Sequence, residues 1–126
     1  MRKTKILAVD DEKPITIYLK TCLESTGNFE VREANSGEQG LKAAEEFRPD
    51  LILLDIMMKD TAGDVFASRL KSNPHLSGIK IIFLTGMVSK AEVQGHGGFI
   101  GGYPYLAKPI SRLKDLLDCI ESTLRN

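Results

Sequence analysis

The sequence predicts an α/β protein with a doubly wound, five-stranded parallel sheet and helices on both faces. Three observations predict it. Short aliphatic runs recur along the chain, TKILAV at 4–9, LILL at 51–54 and IKIIFL at 79–84. Stretches with apolar residues at helical spacing separate them, and such alternation belongs to parallel sheets covered on both faces. The 126 residues suffice for one ordinary core, so residues 1–126 read as a single domain.

The first strand, 4–9, ends at Asp10-Asp11. Pro14 suits the first turn of a helix, which Ile15, Leu19, Cys22 and Leu23 continue until Gly27-Asn28 stops it. Residues 29–34 (FEVREA) alternate apolar and polar, as in a strand nearer the sheet edge. Ser36 with Gln39 three residues on is a capping-box pattern, and Leu41, Ala44 and Phe47 give the next helix one apolar face. Pro49 ends that helix, and LILL at 51–54 is the most apolar strand. Gly63 breaks the loop that follows. Val65, Phe66, Arg69 and Leu70 then predict a third helix, stopped by Asn73-Pro74. Residues 79–84 form a fourth strand, and 103–107 (YPYLA) a fifth whose Pro104 belongs on a sheet edge. Ser111 is expected to cap a last helix striped by Leu113, Leu116, Leu117, Ile120 and Leu124. Between 87 and 102, MVSKAEVQ fits a short helix, but the glycines of GHGGFIGG oppose one, and the segment is expected to be irregular and mobile.

Composition excludes several classes. Lys plus Arg equals Asp plus Glu, 17 each, and nucleic-acid or anionic-membrane surfaces call for a basic excess. No apolar run approaches a membrane span, and the N-terminus turns acidic too soon for a signal peptide, so a cytoplasmic protein is expected. Cys22 and Cys119 lack metal or redox spacing and read as helix thiols. His75 reads as a loop histidine, and His96 sits among glycines. GHGGFIGG matches neither a dinucleotide fingerprint nor a P-loop.

Ligands of parallel α/β sheets bind beyond the carboxyl ends of the strands. There the sequence places Asp10 and Asp11, Asp55, Thr85 and Lys108. Two carboxylates about 4 Å apart repel by about 4 kcal/mol at an effective dielectric of 20. One lysine leaves an acidic excess, and an oxygen-only donor set suits Mg²⁺; zinc is disfavoured without His or Cys. Asp10 and Asp11 are then expected to hold the metal. Asp55, beside it, becomes a nucleophile for phosphoryl groups. Lys108 and Thr85 are expected to contact phosphoryl oxygens.

With these residues in order, from ILAVDDE through LILLDIMM and IIFLTG to YLAKP, the sequence resembles the receiver domain of bacterial response regulators over essentially its whole length. The resemblance implies a flavodoxin-like sheet of order 2-1-3-4-5. It makes Asp55 the phosphoacceptor and Asp10, Asp11, Asp55 and the Met57 carbonyl the Mg²⁺ ligands. Thr85 and Lys108 become the switch hydroxyl and the family's lysine, Tyr105 the rotating aromatic, and Lys108-Pro109 a cis bond. A histidine kinase or phosphotransfer protein is the implied donor. The face made by the last strands and helices would change its affinity for an output partner, and a homodimer formed on phosphorylation is a candidate. No output domain is expected within the chain.

The sequence departs from the family at Lys59, where proline is usual, at Ala62 before Gly63, and at GHGGFIGGYP. Neither of the first two is expected to touch a metal ligand. Met57 and Met87, two residues beyond Asp55 and Thr85, are bulky and apolar, which predicts hindered water and a long-lived aspartyl phosphate. Two competing functions remain. An aspartyl phosphohydrolase would want DxD after strand one, where this chain has Asp10-Asp11-Glu12. A receiver-like interaction module that is never phosphorylated is opposed by the full set of acidic, hydroxyl and lysine groups.

Overall fold

The structure is a computed structural model that describes residues 2–86, 99–100, 102–110 and 112–125. The expectations for 87–98, for Met87 and for Ser111 as a cap lie outside the described residues. The elements run β1 (Thr4–Val9), α1 (Lys13–Glu24), β2 (Phe29–Ala34), α2 (Gly37–Phe47), β3 (Leu51–Asp55), α3 (Gly63–Ser72), β4 (Lys80–Thr85), β5 (Phe99–Ile100), β6 (Tyr103–Ala107) and α4 (Leu113–Arg125).

Five strands pair in parallel in the order β2-β1-β3-β4-β6, the expected 2-1-3-4-5 arrangement. One strand was not expected. The two-residue β5 pairs antiparallel with β6, Phe99 opposite Pro104 and Ile100 opposite Tyr103. Pro104 therefore lies one strand in from the margin, in a ladder too short to need many donors. Gly63 also differs from its expected role: it opens α3 instead of interrupting a loop.

Each face of the sheet buries its own core. Leu7, Val9, Ile52, Leu54, Ile81, Phe83 and Tyr105 pack against Ala43 and Ala44 of α2 and Phe66, Ala67 and Leu70 of α3. The alternate residues Ile6, Ala8, Leu51, Leu53, Ile82 and Leu84 pack against Leu19 and Leu23 of α1 and Leu116 and Ile120 of α4. Strands buried on both sides read as unbroken aliphatic runs, which is why LILL and KIIFL carry no alternation. The α2 start is as expected: the Ser36 side chain accepts from the Gln39 N–H at 3.1 Å, and Gln39 Oε1 accepts from the Asn35 N–H at 3.1 Å.

The outer side of β2 is clipped by α1. Lys20 Nζ donates to the Val31 carbonyl at 2.8 Å, and the Val31 N–H donates to Glu24 Oε2 at 3.0 Å. The Val31 N–H holds the Glu24 carboxyl below its ordinary range, outweighing what burial adds, and Lys20 helps. A carboxyl with a depressed folded pKa stabilises above the unfolded value and ceases to as pH falls through the folded one. Thermal melts should thus show Glu24→Gln less stable than the native chain at about pH 7, with the gap closing as pH falls below the unfolded carboxyl value and through the depressed folded one. A gap that does not depend on pH would contradict the clip.

The register brings the strand ends level. Val9 lies opposite Leu54, Leu54 opposite Phe83 and Phe83 opposite Tyr105. Residues 10, 55, 85 and 108 accordingly emerge along one edge.

Candidate functional site

Asp10 follows β1 with its side chain wholly buried. Its Oδ1 accepts from the Glu12 N–H at 2.9 Å, a local turn that aims the carboxylate along the strand ends. Its Oδ2 lies 2.6 Å from Lys108 Nζ and, apart from that ion pair, meets no donor among the described residues. Asn35, after β2, fastens the same loop from behind: its Nδ2 donates to the Asp10 carbonyl at 2.9 Å and to Thr16 Oγ1 at 3.0 Å.

Asp55 ends β3 and is 5% exposed, at the rim of the edge and not within the aliphatic core. Its Oδ1 accepts from the Met57 N–H at 3.1 Å and stands 3.5 Å from Lys108 Nζ. Asp11 Oδ2 accepts from the Lys59 N–H at 3.1 Å. One oxygen from each of Asp10, Asp11 and Asp55 falls within 4.8 Å of the others.

Burial pushes the Asp55 carboxyl above the ordinary carboxylate range; the Met57 N–H opposes it, the Asp10 charge adds to it, Lys108 opposes and Asp11 adds. For Lys108, burial pulls the ammonium down, and the hydrogen bond and charge of Asp10, with Asp55 and Glu12, push it up further, leaving it raised. The nest is thus more acidic than one lysine offsets. Three carboxylates without a soft ligand fit a hard divalent cation such as Mg²⁺.

Thr85 ends β4 and is buried, and its carbonyl accepts from the Lys108 N–H at 2.8 Å, tying the β4 and β6 ends together. The Lys108-Pro109 bond is cis, as the resemblance implied. Tyr105 is buried in the core of the α2–α3 face, with no partner for its hydroxyl among the described residues.

The family model for the response regulator receiver domain matches residues 6–121. The chain belongs to that family. Among curated relatives of this receiver domain, Response regulator protein VraR of Staphylococcus aureus is 33% identical over 122 residues, covering 96% of the chain and 56% of VraR. Histidine kinase P4 of Formosa agariphila is 30% identical over 122 residues, 92% of the chain but 9% of that protein. The receiver therefore spans about half of one relative and a small part of the other. Among solved structures, Vibrio cholerae chemotaxis protein CheY4 superposes with a TM-score of 0.81 at 27% identity, over 97% of the chain and 99% of CheY4.

Of the five residues that sequence reasoning set at the strand ends, Asp10, Asp11, Asp55 and Lys108 come together in this receiver domain, and Thr85 joins them through its carbonyl on the Lys108 N–H. Three groups escaped it. Asn35 and Asp60 act through contacts distant in sequence, Asp60 accepting from the Gly37 and Glu38 N–H groups at 2.8 and 3.0 Å. The third is a correction: position 59 does touch an expected metal ligand, through its backbone N–H on Asp11. The signal was present, since any residue other than proline carries that donor. Met57 is 60% exposed, beside an Asp55 that is 5% exposed.

Proposed function

We propose that this receiver domain is a phosphoacceptor switch whose Asp55 takes a phosphoryl group from a phosphohistidine of a histidine kinase or phosphotransfer protein. The observation that carries the reading is the meeting of Asp10, Asp11 and Asp55 within 4.8 Å, with Lys108 Nζ 3.5 Å from Asp55. An Asp55 oxygen forms the bond to phosphorus while the phosphorus–nitrogen bond breaks and its electron pair returns to the imidazole. Lys108 favours the ionised, nucleophilic Asp55 and is in reach of a phosphoryl oxygen. Asp10, Asp11, Asp55 and the Met57 carbonyl are the groups that would hold Mg²⁺. Bound there, the ion supplies positive charge to the equatorial oxygens of the transferring group. Thr85 is the hydroxyl that answers the new charge and Tyr105 the aromatic that follows it.

A groove of about 310 Å³ lined by Pro14, Ile15, Tyr18, Leu84, Pro109 and Ile110 adjoins Lys108, and Tyr18 of α1 is exposed at it. Exposed apolar groups beside a reactive carboxylate suit the docking of the donor protein. The surface of β6 and α4 is the one offered to an output partner or to a second copy. No helix among the described residues is long and apolar enough to cross a membrane, and the reading sets the domain in the cytoplasm.

Incubation with Mg²⁺ and a small acyl phosphate, followed by intact mass, tests the reading. One phosphoryl group should appear on the native chain and none on Asp55→Asn. An unmodified native chain, or label persisting in the variant, overturns it.

A further inference from the structure

We infer that Lys59 and Asp60 form a positioning element of the metal site: the Lys59 N–H orients Asp11, and the Asp60 carboxylate tethers the loop that carries that N–H. The inference rests on the proposed function and concerns how the chain prepares the site for Mg²⁺.

The loop from Ile56 to Ala62 touches the acidic nest through its backbone. The Met57 N–H binds Asp55 Oδ1 and the Lys59 N–H binds Asp11 Oδ2, each at 3.1 Å. Asp10 is buried and held by its own turn, whereas Asp11, next in sequence, is only partly buried. A part-exposed aspartate samples several rotamers, and ordering it costs affinity when a cation binds. The Lys59 N–H meets that cost in advance and leaves Asp11 its second oxygen. Outer partners of metal ligands commonly matter about tenfold to a hundredfold in affinity.

The donor would be of little use on a drifting loop. Asp60, next in sequence, accepts from the Gly37 and Glu38 N–H groups at the start of α2. These N–H groups otherwise lack partners within the helix, and they hold the Asp60 carboxyl below its ordinary range. Gly37 is itself required there, since a Cβ on it would lie 2.5 Å from the Thr61 side chain. The loop is thus fixed at one end by Met57 on Asp55 and at the other by Asp60 on α2, with the Lys59 N–H between. Proline at 59 would delete the central contact.

Mg²⁺ titration of the purified protein, followed by calorimetry and by the rise in melting temperature, tests this with Lys59→Ala and Lys59→Pro. Both lose the ammonium, and only the second loses the N–H. Lys59→Pro should bind Mg²⁺ about tenfold more weakly than Lys59→Ala. Equal affinities, within about twofold, overturn the inference, because a merely structural role would lower the metal-free melting temperature and leave the dissociation constant alone. If Lys59→Pro does not fold, Asp60→Ala decides: a several-fold weaker dissociation constant supports the tether and an unchanged one overturns it. A native chain that fails to bind Mg²⁺ would instead overturn the proposed function, so the two failures are distinct.

Discussion

Replacing Lys108 with methionine should lower the melting temperature in magnesium-free buffer by about 10 °C, corresponding to about 3 kcal/mol. Methionine matches the lysine stem in bulk, so the loss isolates the charge. Asp10 is fully buried and its Oδ2 relies on Lys108 Nζ at 2.6 Å. Removing the ammonium strands Asp10 beside Asp11 and Asp55. Breaking a buried pair from one side typically costs about 3–5 kcal/mol, and the solvent-reached rim of this nest puts the expectation at the low end. The pH dependence follows from Lys108. Its pKa is raised in the folded state, so its contribution is full below the unfolded value near 10.5 and disappears as pH rises through the folded one. Neutral buffer therefore shows the whole effect. Two additions should reverse much of it: Asp10→Asn in the same chain, and millimolar Mg²⁺. Calorimetric melts of the native chain, Lys108→Met and the double variant, each with and without Mg²⁺, check this. A Lys108→Met chain as stable as the native one without metal would mean that water already screens the nest.

Gly63→Ala should destabilise the fold by about 1–2 kcal/mol, against what helix propensity alone suggests. Gly63 opens α3, where alanine ordinarily gains about 1 kcal/mol over glycine. Here a Cβ would sit 2.8 Å from the Ile56 Cα, 3.0 Å from the Asp55 carbonyl oxygen and 3.2 Å from that of Ile56. These are backbone atoms of the central strand end, also gripped by the Gly63 N–H on the Ile56 carbonyl at 2.7 Å. They cannot swing aside as a side chain would, and overpacking of this kind typically costs about 1–3 kcal/mol. What moves is the backbone under Asp55. Phosphoryl acceptance should therefore drop about tenfold or more, because misplacement by less than about 1 Å already slows an in-line transfer. Gly78→Ala is the control, since nothing lies within 4 Å of a Cβ there and neither property should change. Equal rates in Gly63→Ala would show that Asp55 is decoupled from α3.

What was legible follows from what each feature depends on. Strands buried on both faces announce themselves as aliphatic runs, and polar residues that end such runs must stand at one edge of a parallel sheet. Asp10, Asp11, Asp55, Thr85 and Lys108 could be gathered on that ground alone. The β5 pairing was not readable, because a two-residue ladder at 99–100 leaves no periodicity and lies among glycines. Lys59 escaped for a different reason: its contribution is a backbone N–H, which side-chain chemistry does not describe. Asp60 and Asn35 reach across 23 and 25 residues to α2 and the β1 end, contacts that only the tertiary arrangement creates.

The clip that α1 places on Val31 bears on how copies of this domain can meet. An open strand margin is a template on which another chain can add hydrogen-bonded length, the route to stacking and fibril growth. With the Val31 N–H and carbonyl occupied by Glu24 and Lys20, a neighbour's strand arriving at β2 finds the middle of the ladder taken. Strand addition on that flank is thereby opposed at Val31, the middle of the ladder.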